Sequence, residues 1–262
     1  MSVVRSSDGT AIAFEKTGQG PAVILVDGAL CSRAFGPMRG IAALLAPEFT
    51  VYAYDRRGRN ESGDTVPYSV EREVEDVEAL IDEAGGSACL FGASSGGALV
   101  LEAASRLGGK VGKLAIYEVP YNDAPAARAR MAQYSRGLAE ALAQGRRGDA
   151  VALFMAQVGQ PADQIAGMRQ APFWAALEAV APTLAYDSSA LGGDGGIPVS
   201  TAASVSTPTL LMNGGAGDPF MGETADALAK AMANSRRQTL PGQRHDVSAE
   251  AIAPVLAEFF RG

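Results

Sequence analysis

Apolar and polar positions follow two different rhythms along this chain, and the change between them divides it. Ala11-Ile12-Ala13-Phe14-Glu15 and Ala22-Val23-Ile24-Leu25-Val26 read as strands on either side of the turn Gly18-Gln19-Gly20-Pro21. A helical stretch through Ile41-Ala42-Ala43-Leu44-Leu45 follows, then the strand Thr50-Val51-Tyr52-Ala53-Tyr54. Val70, Val74, Val77, Leu80 and Ile81 recur at helical spacing, which predicts an amphipathic helix with Ser69 at its N-cap and Gly85-Gly86 at its end. The run Ala88-Cys89-Leu90-Phe91 is the next strand, residues 97–104 the next helix, and Lys113-Leu114-Ala115-Ile116-Tyr117 the strand after it. Strands that alternate with helices in this way predict an α/β fold, a mostly parallel sheet with helices on both faces.

That rhythm stops at Pro120. Residues 121–187 hold no convincing strand, only helical periodicity. Met131, Tyr134, Leu138 and Leu142 form one apolar stripe, and Val151, Phe154, Met155 and Val158 another. Pro161 and Pro172 suit the first turns of two further helices. Gly192-Gly193-Asp194-Gly195-Gly196 makes a flexible return, and strands resume at Thr209-Leu210-Leu211-Met212 and Arg237-Gln238-Thr239-Leu240. The expected organisation is an α/β core of residues 1–120 and 201–262, with residues 121–200 inserted as a helical cap and Gly-rich return. There is no internal repeat.

Composition narrows the class. A chain of 262 residues is long enough for one large core carrying an insertion. Its 47% hydrophobic content and mean hydropathy of +0.06 are ordinary for a globular enzyme. The net charge of −7 and pI near 4.9 deny it the basic field that a nucleic acid or an anionic membrane would need. Residues 1–9 have no apolar signal core, and no run approaches a membrane span. Cys31 and Cys89 read as free thiols, so the cytoplasm is the expected compartment. A single histidine and two distant cysteines make no ligand cluster, and no metal site is expected.

Chemistry concentrates at Gly92-Ala93-Ser94-Ser95-Gly96, directly after a strand and before a helix. A sharp turn there lifts one serine above the sheet, and the flanking glycines leave room for the strained backbone. A serine hydroxyl is a poor nucleophile without a nearby base, and the usual base is histidine. His245 is the only histidine, and it lies in the turn-rich stretch Leu240-Pro241-Gly242-Gln243-Arg244-His245-Asp246. A late loop is where a base reaching across the top of the sheet would come from.

These segments together resemble the α/β-hydrolase superfamily over essentially the whole chain. Val26-Asp27-Gly28 stands where that superfamily places its oxyanion loop, and residues 92–96 form its nucleophile elbow. Tyr54-Asp55-Arg56-Arg57-Gly58-Arg59-Asn60-Glu61-Ser62-Gly63 is similar to its D-x-R-G-x-G-x-S loop, with one extra arginine and Asn60 at the second glycine. Asn213-Gly214-Gly215-Ala216-Gly217-Asp218-Pro219 resembles the loop that usually carries the triad acid, and residues 242–245 the loop of the base. Two histidines usual in the superfamily are replaced, by Asp27 in the oxyanion loop and by Ala93 before the nucleophile. The resemblance implies an oxyanion hole built from backbone N–H groups near Gly28 or Ala29 and of Ser95, with Asp27 turned away and holding its loop by hydrogen bonds.

Two carboxylates compete for the role of acid. Asp218 has the usual position, whereas Glu118 ends the strand after the elbow helix. The Glu118 position is similar to that of zearalenone-type lactone hydrolases, which also carry Asp-Gly in the oxyanion loop and Ser-Ser-Gly at the elbow. The shared departures favour Glu118, with Asp218 as the alternative and as a suitable helix N-cap if it is not the acid. The reading is a serine hydrolase acting on an ester or lactone of a mainly apolar small molecule, with no cofactor implied. Leu30, Phe154, Trp174 and Phe220 are the candidate substrate contacts, beside Phe173 and the cap methionines. Cys31, just past the oxyanion loop, is expected to be a small buried loop residue, with contact to substrate as the alternative. A small-molecule receptor, or a non-hydrolytic enzyme of carbon–carbon cleavage or cyclisation on the same scaffold, stays open as an alternative.

Overall fold

A computed structural model describes residues 2–262. Eight strands form one sheet: β1 Ser2–Arg5, β2 Ala11–Thr17, β3 Ala22–Val26, β4 Thr50–Tyr54, β5 Ala88–Ala93, β6 Val111–Tyr117, β7 Thr209–Gly214 and β8 Ser235–Leu240. The α-helices are α1 Met38–Leu45, α2 Val70–Glu83, α3 Ser95–Leu107, α4 Pro125–Ala143, α5 Arg147–Gln157, α6 Ala162–Met168, α7 Trp174–Val180, α8 Leu184–Ala190, α9 Val199–Ser204, α10 Pro219–Ala231 and α11 Ala249–Arg261. The expected strands and the α/β class are present. β1 was not expected: only Val4 of its four residues is buried, so its sequence carries almost no apolar signal.

The strand order is β1-β2-β4-β3-β5-β6-β7-β8, antiparallel across β1·β2·β4 and parallel from β4 onward. Alternate residues of the central strands enter opposite cores. Ile24, Val26, Leu90, Leu114, Ile116 and Leu211 pack beneath α2 and α3, whereas Val23, Leu25, Phe91, Ala115, Leu210 and Met212 pack beneath α1 and α11. Both faces are therefore covered, which is why these strands are continuous apolar runs without a polar face.

The connection from β3 runs through α1 to β4 on one side, and the next through α2 to β5 on the other. The order thus reverses at β3, and the loops leaving the C-terminal ends of β3 and β5 meet at that reversal. Open α/β sheets place their ligands at such a reversal. Between β6 and β7 the chain leaves the sheet for α4–α9. Tyr134, Leu138, Val151, Trp174, Leu177 and Leu184 bury one another there in a separate apolar cluster, which also takes in Leu30 from the loop after β3. Val158 departs from its expected stripe, standing 54% exposed at the C-cap of α5. Ser69 holds the N-cap position of α2 without a side-chain capping bond.

Candidate active site

The junction of β5 and α3 is a sharp turn with Ser94 at its apex. Ser94 adopts φ 55° and ψ −129°, which L-residues seldom do. Two backbone bonds hold it there: its N–H donates to Tyr117 O at 3.0 Å, and its carbonyl accepts from Gly97 N–H at 2.9 Å. A Cβ at Gly92 would stand 2.3 Å from Gly96 O, and a Cβ at Gly96 2.3 Å from Val26 O. Both clashes are with backbone, so only glycine fits at either position. Strain maintained at such expense marks a site where geometry matters.

The loop after β3 lies against this elbow. A Cβ placed on Gly28 would be 3.0 Å from Ser94 Cβ, so the two residues are in contact distance. The N–H groups of Gly28, Ala29 and Ser95 donate to no other group among the described residues. The unengaged donors of Gly28 and Ser95 therefore adjoin Ser94, with that of Ala29 next along the loop. Asp27 does not hold this loop by hydrogen bonds, contrary to expectation. Its side chain is buried with Oδ1 unpartnered, and the loop is fastened instead by guanidinium groups bonded to its carbonyls. Burial pushes the Asp27 carboxyl up to about 7, against the pull of Arg59 and Arg56. Cys31 is half-buried, and burial together with neighbouring Asp27 pushes its thiol up to about 12.

His245 lies on the loop between β8 and α11, with its side chain 50% exposed. Its Nδ1–H donates to Glu118 Oε2 at 2.9 Å, and Glu118 Oε1 accepts from Gly214 N–H at 2.8 Å. Glu118 follows β6 directly and is 2% exposed, with φ 45° and its N–H bonded to Met212 O at 3.0 Å. The Tyr117 hydroxyl donates to Arg244 O at 2.5 Å, tying the residue before His245 to the same strand end. Asp218 is elsewhere. It is exposed and caps α10, its Oδ1 accepting from Phe220 N–H at 3.2 Å. A Cβ on Gly217 would lie 3.2 Å from Glu118 Oε1, so the β7 loop approaches Glu118 rather than displacing it. The sheet thus brings His245 to Glu118 and leaves Asp218 at a helix terminus. No hydrogen bond joins Ser94 Oγ to His245 among the described residues.

Of the expected substrate contacts, Leu30 and Trp174 are buried within the cluster of the helical excursion, and Phe154 is half-buried against it. The Trp174 indole N–H donates to Glu178 Oε1 at 2.9 Å. Phe220 is half-buried in the first turn of α10, and Phe173 is 45% exposed.

Under the site lies a set of charges that sequence reading did not anticipate. Asp55, Arg56, Arg57 and Arg59 are all buried. Asp55 accepts from the Arg33 backbone N–H, Nε and Nη2 at 2.8, 3.1 and 3.0 Å. Arg56 forks onto Glu73 at 2.7 Å on both arms, and Arg57 onto Asp76 at 2.8 and 2.6 Å. Asn60 takes φ 45° where glycine is usual, a conformation asparagine tolerates, and its amide donates to Asp55 at 3.0 Å. Three arginines within Arg56-Arg57-Gly58-Arg59 were the available signal. Asp187, which meets two of them, sits on α8 and gave none. Among the described residues no group of His, Cys, Asp and Glu is arranged to hold a metal ion. No described helix is long and apolar enough to cross a membrane.

The profile of the alpha/beta hydrolase family matches residues 23–258. The chain belongs to the alpha/beta hydrolase family. Its sheet order and helical layers are those of an α/β-hydrolase fold, and solved members superpose over the whole length. An alpha/beta hydrolase from Sphaerobacter thermophilus DSM 20745 is 50% identical with a TM-score of 0.85, covering 99% of this chain and 100% of that one. A thermophilic esterase from Thermogutta terrifontis is 23% identical with a TM-score of 0.73, covering 99% and 97%. The enol-lactonase from Burkholderia xenovorans LB400 is 21% identical with a TM-score of 0.70, covering 100% of both chains. At these last identities the likeness is one of fold. No curated protein sequence matches the chain. Within the alpha/beta hydrolase family the fold serves many reactions, so the chemistry has to be argued from the site.

Proposed function

We propose that the protein is a serine hydrolase that cleaves an ester or lactone of a mainly apolar small molecule through an acyl-enzyme on Ser94. The observation that carries this reading is the 2.9 Å bond from His245 Nδ1 to a Glu118 whose second oxygen is pinned by Gly214 N–H. A ring that donates from Nδ1 keeps Nε2 as its acceptor, the tautomer that can take a proton from a serine hydroxyl. His245 Nε2 removes the Ser94 proton as Oγ attacks the carbonyl carbon, and the carbonyl oxygen gathers negative charge. N–H groups of Ser95 and of Gly28 or Ala29 receive that charge. His245 then protonates the departing alkoxide, deprotonates water for attack on the acyl-enzyme, and returns its proton to Ser94. In a lactone the departing alcohol stays tethered, and the product is a single hydroxy acid.

The serine–histidine contact is left to form with substrate, as hydrogen bonds of this kind often tighten only in the loaded enzyme. An exposed imidazole with one end anchored is suited to that movement. The ester and lactone classes are supported by three features together, Asp27-Gly28, Ser94-Ser95-Gly96 and Glu118, and by an esterase and an enol-lactonase among proteins of the same fold. The apolar character is supported by the apolar cluster of the helical excursion, which reaches the loop after Gly28 through Leu30.

The test is turnover by the purified protein on aryl esters, macrolactones and small acyl esters, with Ser94→Ala beside it. We expect hydrolysis of at least one class, a loss of roughly 10³- to 10⁶-fold in kcat for the variant, and labelling of Ser94 by a serine-directed phosphonate. Undiminished turnover in Ser94→Ala, or no turnover on any class by folded protein, overturns the reading.

A further inference from the structure

We propose that Asp187, carried by the helical excursion, is a positioning residue that clamps the donors of the oxyanion hole from both sides; the inference rests on the serine-hydrolase reading above. Asp187 lies on α8, far in sequence from the loops it serves. Its Oδ1 accepts from the Ser95 hydroxyl at 2.7 Å, from Arg56 Nη1 at 2.7 Å and from Arg59 Nη2 at 2.9 Å, and its Oδ2 accepts from Arg59 Nη2 at 2.9 Å.

The two arginines pass this anchoring to the backbone. Arg56 Nη1 also donates to Asp27 O at 3.2 Å, and Arg59 Nη1 donates to Gly28 O at 2.5 Å and to Cys31 O at 3.1 Å. A trans peptide is planar, with its C=O and N–H pointing in opposite directions. Holding Asp27 O therefore orients the N–H of Gly28, and holding Gly28 O orients the N–H of Ala29. On the other side, the Ser95 hydroxyl bond fixes the residue that supplies the third donor. One carboxylate thus anchors the arginines that orient the Gly28 and Ala29 N–H groups and, through the Ser95 hydroxyl, the residue that carries the third donor.

The same arrangement explains why the charges are tolerated. Asp187 is buried, which opposes its charge, but Arg59 and Arg56 hold its carboxyl below the usual range. Arg56 is balanced in turn by Glu73, and Arg59 Nε donates to Thr183 Oγ1 at 3.2 Å. Such a network confers little net stability over apolar packing, and its use is in fixing geometry. Donors aimed at a developing oxyanion act only when they are set in advance, and displacement by about an ångström from a remote change can lower rate about 10²-fold.

Asp187→Asn keeps the shape and removes the charge between the two guanidiniums. Rates are to be measured per active site, counted by phosphonate labelling of Ser94, so that loss of folded protein does not register as loss of rate. We expect kcat to fall about 10²-fold with KM nearly unchanged, and affinity for a trifluoromethyl ketone analogue to fall in step with kcat. A role confined to folding would lower the number of titratable sites and leave kcat per site alone, which overturns the inference. If Asp187→Asn does not fold, Ser95→Ala decides. It keeps both arginine pairs and removes one bond, so a fall of about tenfold in kcat at constant KM supports the clamp, and wild-type kcat refutes it. Failure of the underlying reading is recognised separately, by a wild type that is not labelled at Ser94 or by a Ser94→Ala that still turns over.

Discussion

Glu118 and Asp218 are both carboxylates at the C-terminal edge of the sheet, and what they touch separates them. Glu118 is buried between His245 and the Gly214 N–H, whereas Asp218 is exposed and caps α10. Glu118→Gln should therefore lower kcat by about 10³- to 10⁴-fold with little change in unfolding midpoint, since an amide no longer favours the required tautomer of His245. Asp218→Asn should keep its rate and lose at most about 1 kcal/mol, because asparagine is itself a good N-cap. Steady-state kinetics and urea unfolding on the two variants check this, and an inactive Asp218→Asn beside an active Glu118→Gln would reverse the assignment. At this scale much could be read from sequence. Ser94 and His245 lie in stretches whose glycines or turn residues announce a loop after a strand, whereas Glu118, buried at a strand end, is singled out by its place after that strand and by resemblance. Asp187 and Arg59 could not be read. Their pairing spans 128 positions and depends on how α8 docks, which no local pattern encodes.

Among the elements, the parallel strands were the most legible because burial on both faces leaves a continuous apolar run. β1 escaped notice because an edge strand with one buried residue looks like any polar terminus. The elbow is the element in which sequence and geometry constrain each other most closely. Adding a Cβ at Gly96 meets Val26 O at 2.3 Å and Asp27 O at 2.7 Å, so α3 must move away from β3 or the loop after β3 must shift. Gly96→Ala should cost about 2 kcal/mol or more, a drop of roughly 5 °C or more in thermal midpoint for a chain of this size. Because the clash is with the loop that precedes Gly28, turnover per folded molecule should fall too. Circular dichroism melts with kinetics on the same samples would show it, and an unchanged midpoint would contradict the packing described.

Over the whole molecule, the balance of buried charge makes stability depend on pH in a way that can be assigned. Asp27 has a folded-state pKa raised to about 7, from 3.8 when unfolded. As pH rises between these values the unfolded chain releases this proton while the folded chain retains it, so folding weakens across that window. Above about pH 7 the penalty is complete, up to about 4 kcal/mol. Asp27→Asn removes the charge, so its stability relative to the parent should be greatest at pH 8 and should shrink toward pH 4. Urea midpoints at pH 5 and pH 8 give the comparison, and an equal margin at both would mean that Asp27 does not titrate in this window. Asp187 runs the other way, its lowered pKa contributing stability above the ordinary carboxylate range that is lost in acid.

The bonds from α8 to Arg56, Arg59 and Ser95 also bear on modularity. Insertions between core strands are commonly regarded as exchangeable parts, to be swapped between relatives to change what a scaffold accepts. Here the insertion contributes an anchor to the core itself. A chimera that imports a foreign excursion without an acid at position 187 would inherit two buried guanidiniums with one counter-charge removed, and the loop of Gly28 without its fastening. Exchange is expected to succeed only as a matched set, with Arg56, Arg59 and the α8 carboxylate travelling together, so that transplanted specificity and transplanted rate come from the same segment.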